Sequence, residues 1–334
     1  MGNVCLYHRD ADGFCAAAIV QKRYPEIELV SIQYGEPIPW EKLSGNYVVM
    51  VDFSLQPWGE MLRLMKDVTH LVWIDHHQTA FDELRTYIQN KEVNVVNFKT
   101  RLHLLEDRME AFLEIGRSGC ELTWEYFFPV QPEPAIVHHI GRYDVWDHSD
   151  PVTKDVRAGL LAQDIDPKGS SAELWWRWVL EEDTYQGRQG PLFRDLVQEG
   201  KVIRGFQRKE WARACKYVRI IELDRVQFPL EGVGRNTNLR LAVLNSAGNS
   251  EIFESIPASS YDIGVLFQWT GSHWKVGLYT SATDIDVGAL AKLYSGGGHR
   301  KAAGFEASLI PTWLLPPIRQ ELRTDVSTSV STEI

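Results

Sequence analysis

Cysteine is scarce in this sequence. The four residues, Cys5, Cys15, Cys120 and Cys215, form no C-x-x-C pair. That spacing excludes a thiolate zinc site and a disulfide framework, and it suits buried free thiols in a reducing compartment. Long apolar runs are absent as well. The longest, from Gly13 to Val20, falls far short of the ~20 residues that a bilayer span requires. No basic stretch precedes an apolar one as in a secretory leader, and Leu6 stands where an N-myristoylation site needs Ser or Thr. The expected location is the cytoplasm, with no membrane partner. Positive charge is in deficit, with 35 Lys and Arg against 45 Asp and Glu and a formal charge of −10. A protein that coats extended duplex through a broad basic surface is excluded on that balance.

Core-forming residues are plentiful. Apolar residues make up 44%, and 13 Phe, 12 Trp and 12 Tyr rule out a disordered chain. A length of 334 residues points to two domains on a prior of ~150 residues each. Strand and helix signals alternate in the first half. Strands are expected at Val4 to His8, Ile27 to Tyr34, Tyr47 to Phe53 and Leu71 to His76. Helices are expected at Gly13 to Arg23 and across Met61 to Lys66, the latter opened by Pro57. Alternation of this kind predicts an α/β fold, a parallel sheet with helices on both faces. The unbroken apolar run Tyr47-Val48-Val49-Met50-Val51 is what a strand buried on both sides requires. From about residue 101 to 180 the pattern reads as helical, including Cys120 to Phe128 and Glu133 to Arg142.

Gly190-Pro191 opens a further helix. Arg194, Lys201, Arg204, Arg208 and Lys209 flank its apolar positions, as in a connecting helix or a basic groove wall. Strands return at Leu239 to Leu244, Ile263 to Trp269 and Trp274 to Tyr279, followed by a helix at Val287 to Tyr294. The domains expected are 1–185, a connecting helix at 186–217, a smaller α/β domain at 218–320, and a disordered tail at 321–334.

Chemistry concentrates at the ends of the first-half strands. Tyr7-His8-Arg9-Asp10-Ala11-Asp12-Gly13 places an imidazole and two carboxylates where a strand gives way to a helix. That is the carboxyl edge of a parallel sheet, where open α/β folds bind ligands. Asp-x-Asp-Gly also builds ordinary turns and helix caps. Asp52 closes the third strand, and a carboxylate buried there needs a partner, a cap or a cation. The fourth strand ends in Asp75-His76-His77, with Asp75 placed to orient a ring. His76 and His77 point to opposite sides of an extended chain. Asp144 offers another carboxylate at a helix end, with Asp147 as its competitor, while His138 and His139 read as structural. In the second half, Gly296-Gly297-Gly298-His299-Arg300-Lys301 combines glycine amides, able to approach an anion, with an imidazole and two basic side chains.

These motifs together resemble the DHH phosphoesterases that carry a DHH-associated C-terminal domain with a GGGH motif. The matches are His8-x-Asp10-x-Asp12-Gly13, Asp52, Asp75-His76-His77, Asp144 and Gly296-Gly297-Gly298-His299. They stand in family order across nearly the whole chain. The compact length is most similar to the nanoRNase, or oligoribonuclease-like, branch.

The resemblance implies two Mn²⁺ ions, with Mg²⁺ or Co²⁺ as alternatives. His8 and Asp10 would hold one ion, Asp12, His76 and Asp144 the other, and Asp52 would bridge them. Mixed imidazole and carboxylate ligands suit Mn²⁺ better than an all-oxygen Mg²⁺ site. His77, oriented by Asp75, would lie at the scissile phosphate. His299 with the three glycines would grip the substrate. Family members often carry an arginine where this chain has Tyr279, so Arg300 or Lys301 would replace it, and Tyr279 would stack on a base. The implied activity is hydrolysis of short single-stranded oligonucleotides or dinucleotides to nucleoside monophosphates by metal-activated hydroxide. A cleft between the domains would limit substrate length, in a monomer or homodimer. Alternatives are cyclic dinucleotides, their linear products or 3′-phosphoadenosine 5′-phosphate as substrates. Pyrophosphate hydrolysis and a non-catalytic nucleic-acid-binding scaffold are the more distant readings.

Overall fold

The computed structural model describes residues 2–89, 102–104, 108–180, 187, 189–223 and 238–314, so the expected tail at 321–334 lies outside the described residues. The chain divides into two compact units, 1–204 and 205–334.

The first unit opens with β1 (Asn3–His8), α1 (Ala11–Arg23), β2 (Glu28–Ile32), α2 (Trp40–Leu43) and β3 (Tyr47–Val51). It continues through α3 (Trp58–Asp67), β4 (His70–Asp75), α4 (Gln78–Gln89), β5 (Leu102–Leu104) and β6 (Met109–Leu113). Four helices follow, α5 (Gly119–Phe127), α6 (Ala135–Asp144), α7 (Pro151–Leu160) and α8 (Ala172–Leu180). The sheet order is β2-β1-β3-β4-β6-β5, parallel throughout except for antiparallel β5.

Both faces of the central strands are covered, which explains their unbroken apolar character. Val4, Leu6, Val48, Met50, Leu71 and Trp73 pack toward Met61 and Leu64 of α3 and Leu84 of α4. Their sequence neighbours Cys5, Tyr7, Val49, Val51, Val72 and Ile74 face Ala16, Ile19 and Val20 of α1 and Leu122 of α5. The period-2 alternation of a strand thus divides one apolar run between two cores. In register, Tyr7 lies beside Val51 and Val51 beside Ile74, so β1, β3 and β4 end together. Strand order reverses between β1 and β3, and there His8 and Asp52 leave the sheet.

A helical stretch from about residue 101 is not what forms. Met109-Glu110-Ala111-Phe112-Leu113 is strand β6, parallel to β4. Met, Glu, Ala and Leu are strong helix formers in isolation, but pairing with β4 and burial of Met109, Ala111, Phe112 and Leu113 override that preference.

Helix α9 (Pro191–Ala214) carries the chain from the first unit into the second. Arg204 does not join a basic groove wall. It is 6% exposed, and its guanidinium meets Asp155 Oδ1 at 2.6 Å. The second unit contains β7 (Arg219–Leu223), β8 (Leu239–Asn245), β9 (Ile263–Trp269), β10 (Trp274–Tyr279), α10 (Val287–Lys292), β11 (Gly297–Gly298) and β12 (Ala302–Ala307). Its sheet order is β11-β12-β10-β9-β8-β7, antiparallel except for the parallel pair β8 and β9. Leu241, Val265, Val276 and Phe305 form its core with Leu290 of α10. No helix among the described residues is long and apolar enough to cross a membrane.

Candidate metal centre

The carboxyl edge of β1, β3 and β4 gathers eight of the side chains singled out above. Asp10 is the N-cap of α1, its Oδ1 accepting from Gly13 N at 2.9 Å. Its other oxygen lies 2.9 Å from His8 Nδ1. Capping and ligation are therefore compatible in one carboxylate. Gly13 is needed because a Cβ there would stand 2.2 Å from the His8 carbonyl oxygen.

Asp52 sits one residue beyond β3 with φ 54°, in the left-handed region that a non-glycine residue seldom enters. Its amide donates to the Ile74 carbonyl at 2.9 Å, which ties it to the end of β4. Strain of this kind persists where the surroundings over-determine a functional side chain. The Asp52 carboxylate faces two ways. Oδ2 lies 3.7 Å from His8 Nδ1, and Oδ1 lies 3.1 Å from His76 Nε2.

His76 Nε2 also lies 3.7 Å from Asp12 Oδ2 and 3.4 Å from Asp144 Oδ2. Donor atoms of His8, Asp10 and Asp52 thus form one compact group, and those of Asp12, His76 and Asp144 a second, each within 4.8 Å. Asp75 is fully buried and organises the following turn. Its Oδ1 accepts from the amides of His76 at 2.7 Å and His77 at 3.2 Å, and from His77 Nδ1 at 2.7 Å. The rings of His76 and His77 do not part to opposite sides. Their centroids are 4.6 Å apart, because both residues follow the end of β4 rather than extend it.

Two contributors carried no signal of their own in the sequence. One is the start of α5. Ser118 is its N-cap in a capping box with Glu121, and the Gly119 and Cys120 amides donate to Asp12 at 2.6 and 2.9 Å. A Cβ at Gly119 would meet Asp52 Cβ at 2.6 Å and Asp12 Oδ2 at 3.0 Å, so only glycine lets the helix approach both carboxylates. The pattern Ser118-Gly119-Cys120-Glu121 was available as a helix start, but nothing in it names Asp12 as its partner. The other is Gln33, whose Oε1 stands 2.7 Å from His8 Nε2 and so turns Nδ1 toward the carboxylates.

The electrostatics of the group are unbalanced without a cation. Asp12 and Asp52 are 2% and 1% exposed. Burial and the Asp52 and Asp144 charges push Asp12 well above the ordinary carboxylate range. Burial raises Asp144 to about 6. Burial alone would lower His8, but the Asp10 and Asp52 carboxylates outweigh it and raise the ring to about 11. Asp52 goes the other way, because His76 and His8 outweigh its burial and hold it low. His8 Nδ1, Asp52 Oδ2 and Asp144 Oδ2 are buried without a hydrogen-bond partner. Imidazole nitrogens and carboxylate oxygens crowded together, with buried polar atoms among them left unsatisfied, fit a divalent-cation centre.

The remaining expected residues are not at this edge. Asp147 is half-buried, its carboxylate accepting from the Ser149 amide at 3.1 Å. His139 is buried beside Thr153 Oγ1, and His138 pairs with Glu133, as structural residues do. In the second unit, Gly297 and Gly298 form β11, and His299 and Ala302 close a tight hairpin with Arg300 and Lys301 at its tip. Cβ atoms at Gly296 and Gly298 would stand 2.2 Å from Gly304 O and 2.5 Å from Ala303 Cα, whereas Gly297 has nothing within 4 Å. Packing against β12 therefore accounts for two of the three glycines. The Arg300 guanidinium donates to the Thr283 carbonyl at 2.9 Å. Tyr279 is half-buried, its ring centroid 6.3 Å from that of Phe253. Tyr279, Tyr294, Gly296 and Gly304 line a groove of about 520 Å³ in this unit.

No family model matches the chain. It is 24% identical over 277 residues to the uncharacterized protein R106 of Acanthamoeba polyphaga mimivirus, covering 80% of this chain and 55% of that protein. The chain thus spans about half the length of the curated relative it matches. Among solved structures it is similar to PggH, a pGpG-specific phosphodiesterase from Vibrio cholerae, at 13% identity and TM-score 0.45, covering 92% and 94% of the two chains. RecJ from Thermus thermophilus in complex with Mn²⁺ gives 14% identity and TM-score 0.42, over 93% of this chain and 50% of that one. An exopolyphosphatase-related protein from Bacteroides fragilis gives 11% and 0.40, over 93% and 88%. At these values none of the three assigns chemistry to this chain.

Proposed function

We propose that this protein is a metal-dependent phosphodiesterase that cleaves short oligonucleotides to nucleoside monophosphates. The observation that carries the reading is the two-way carboxylate of Asp52. Its oxygens stand toward two separate donor groups, and partnerless buried atoms lie in both. His8 and Asp10 would hold one divalent cation, Asp12, His76 and Asp144 a second, and Asp52 would bridge them. Mn²⁺ suits this donor set, with Mg²⁺ or Co²⁺ as substitutes. Two such cations supply charge neutralisation at a phosphodiester and lower the pKa of coordinated water.

The chain's own contributions are positional. The α5 amides hold Asp12 in place, Gln33 fixes the His8 ring, and Asp75 fixes the His77 ring through Nδ1. His77 is thereby placed to meet a phosphate oxygen or leaving-group oxygen and to hold or pass a proton there. In the second unit, His299, Arg300, Lys301 and the Gly297 amide are the candidates for substrate contact, with Tyr279 as a stacking surface. Residues 1–185 would then be the catalytic domain and 218–320 the substrate-binding one. Cyclic dinucleotides, their linear products and 3′-phosphoadenosine 5′-phosphate need the same centre and remain the second reading of substrate. A substrate panel with Mn²⁺, spanning di- to decanucleotides, cyclic dinucleotides, 3′-phosphoadenosine 5′-phosphate and pyrophosphate, tests the proposal. Fastest turnover of the shortest oligonucleotides supports it. Turnover of pyrophosphate alone, or turnover that rises with length, overturns it.

A further inference from the structure

Beside the metal-binding edge stands an aromatic side chain that the phosphodiesterase reading leaves unused. Tyr34 follows β2 and is 40% exposed, although its ring lies 4.5 Å from the buried Phe53 ring. Its centroid is 5.5 Å from the His8 ring and 6.4 Å from the His77 ring. The ring therefore adjoins one residue of the first donor group and the residue assigned to the scissile phosphate.

The turn that carries Tyr34 is tightly fixed. Arg9 makes a bidentate pair with Glu36, at 2.9 and 2.8 Å. Glu36 Oε2 also accepts from the Gln33 amide at 3.0 Å, and the Glu36 amide donates to the Gln33 carbonyl at 3.1 Å. Gln33 bonds His8 through Oε1 and the Arg9 carbonyl through Nε2, at 2.7 and 3.3 Å. Gly35, at φ 87°, makes the reversal. The network joins the residue after His8 to both sides of Tyr34, so the ring position is coupled to the first donor group. A large ring held 40% exposed on a rigid turn keeps a surface to offer.

We propose that Tyr34 is a stacking platform for the nucleobase next to the scissile phosphate, so that the substrate class is nucleoside phosphodiesters rather than inorganic polyphosphates. This rests on the phosphodiesterase reading above. A base laid on the ring places its sugar-phosphate at the adjacent edge, and the preformed turn lowers the ordering cost of binding. Stacking tolerates any base, since each has a π-face. Specificity for sequence is not expected.

The test compares Tyr34→Leu and Tyr34→Trp with the wild type on a dinucleotide and on its abasic analogue in Mn²⁺. The proposal expects Tyr34→Leu to raise KM for the dinucleotide by roughly 10- to 100-fold with little change in kcat. Tyr34→Trp keeps the wild-type KM, and the abasic analogue is indifferent to either change. Equal losses on both substrates overturn the proposal and make Tyr34 a packing residue for Phe53. If the wild type cleaves neither substrate, the phosphodiesterase reading fails, and calorimetry decides the platform separately. There, a nucleoside 5′-monophosphate titrated with Mn²⁺ binds Tyr34→Leu roughly 10-fold or more weakly than the wild type, while inorganic phosphate binds both alike. Unchanged nucleotide affinity overturns it.

Discussion

The carboxyl edge of the first unit and the glycine hairpin of the second are both dense in motif residues, yet they differ in what packing explains. At the edge, the residues exceed any structural need. Asp52 is in a disfavoured backbone region, and Asp12 and Asp52 are buried carboxyl groups near one another. A core would be more stable without them. At the hairpin, Gly296 and Gly298 are accounted for by close contact with β12, and Arg300 by the Thr283 carbonyl. A motif is strong evidence for function where the structure fails to explain it, and weak where it succeeds. Gly297 is the one glycine of the three that packing does not require.

The largest expected effect separates the two regions outright. Asp52→Asn should abolish Mn²⁺-dependent hydrolysis by about 10³-fold or more, since it removes the proposed bridge. Retained turnover would return the edge to the status of the hairpin. Gly119→Ala comes next. Its Cβ would collide with Asp52, costing ~1–3 kcal/mol of stability by overpacking and weakening metal affinity, as followed by thermal unfolding and calorimetry.

The pH response sharpens the same contrast. In metal-free protein the raised Asp12 and Asp144 retain protons that the unfolded chain releases, so stability falls as pH rises from 3.8 through about 6. Above 6.5 the raised His8 and His76 continue the fall, because the unfolded rings lose protons that the folded rings keep. Asp52, held low, adds a gain with rising pH only below about its unfolded value of 3.8. Between pH 4 and 6.5 the buried His139, lowered to about 4, opposes that fall. Metal-free protein should thus melt at progressively lower temperature from pH 6.5 to 8, and saturating Mn²⁺ should remove that slope. A flat metal-free profile would contradict the crowded-charge picture.

Smaller effects follow. Gln33→Leu should lower metal affinity or activity about 10- to 100-fold through the His8 ring. In the hairpin, Gly296→Ala should destabilise measurably, whereas Gly297→Ala should stay within ~0.5 kcal/mol of wild type. A change in KM from Gly297→Ala at unchanged stability would move the hairpin from structure to function.

Much of the first unit was legible because its strands announce themselves by unbroken apolar runs, and their last residues carry the chemistry. His8, Asp52 and His76 meet because parallel strands in register end together. What was hidden depends on partners far away in sequence. The α5 amides bind Asp12 across more than 100 residues. β6 is built from helix-favouring residues that pairing with β4 and β5 turns into a strand. Arg204 reads as surface charge until Asp155 is seen beside it. Local pattern names an element, but pairing across the fold decides its partner.

The central claim is that Asp52 joins two cation sites. Anomalous diffraction from crystals grown with Mn²⁺ measures this directly. The account predicts two peaks ~3.5–4 Å apart, one against His8 and Asp10, the other against Asp12, His76 and Asp144, with an Asp52 oxygen on each. A single peak, or none touching Asp52, would contradict it.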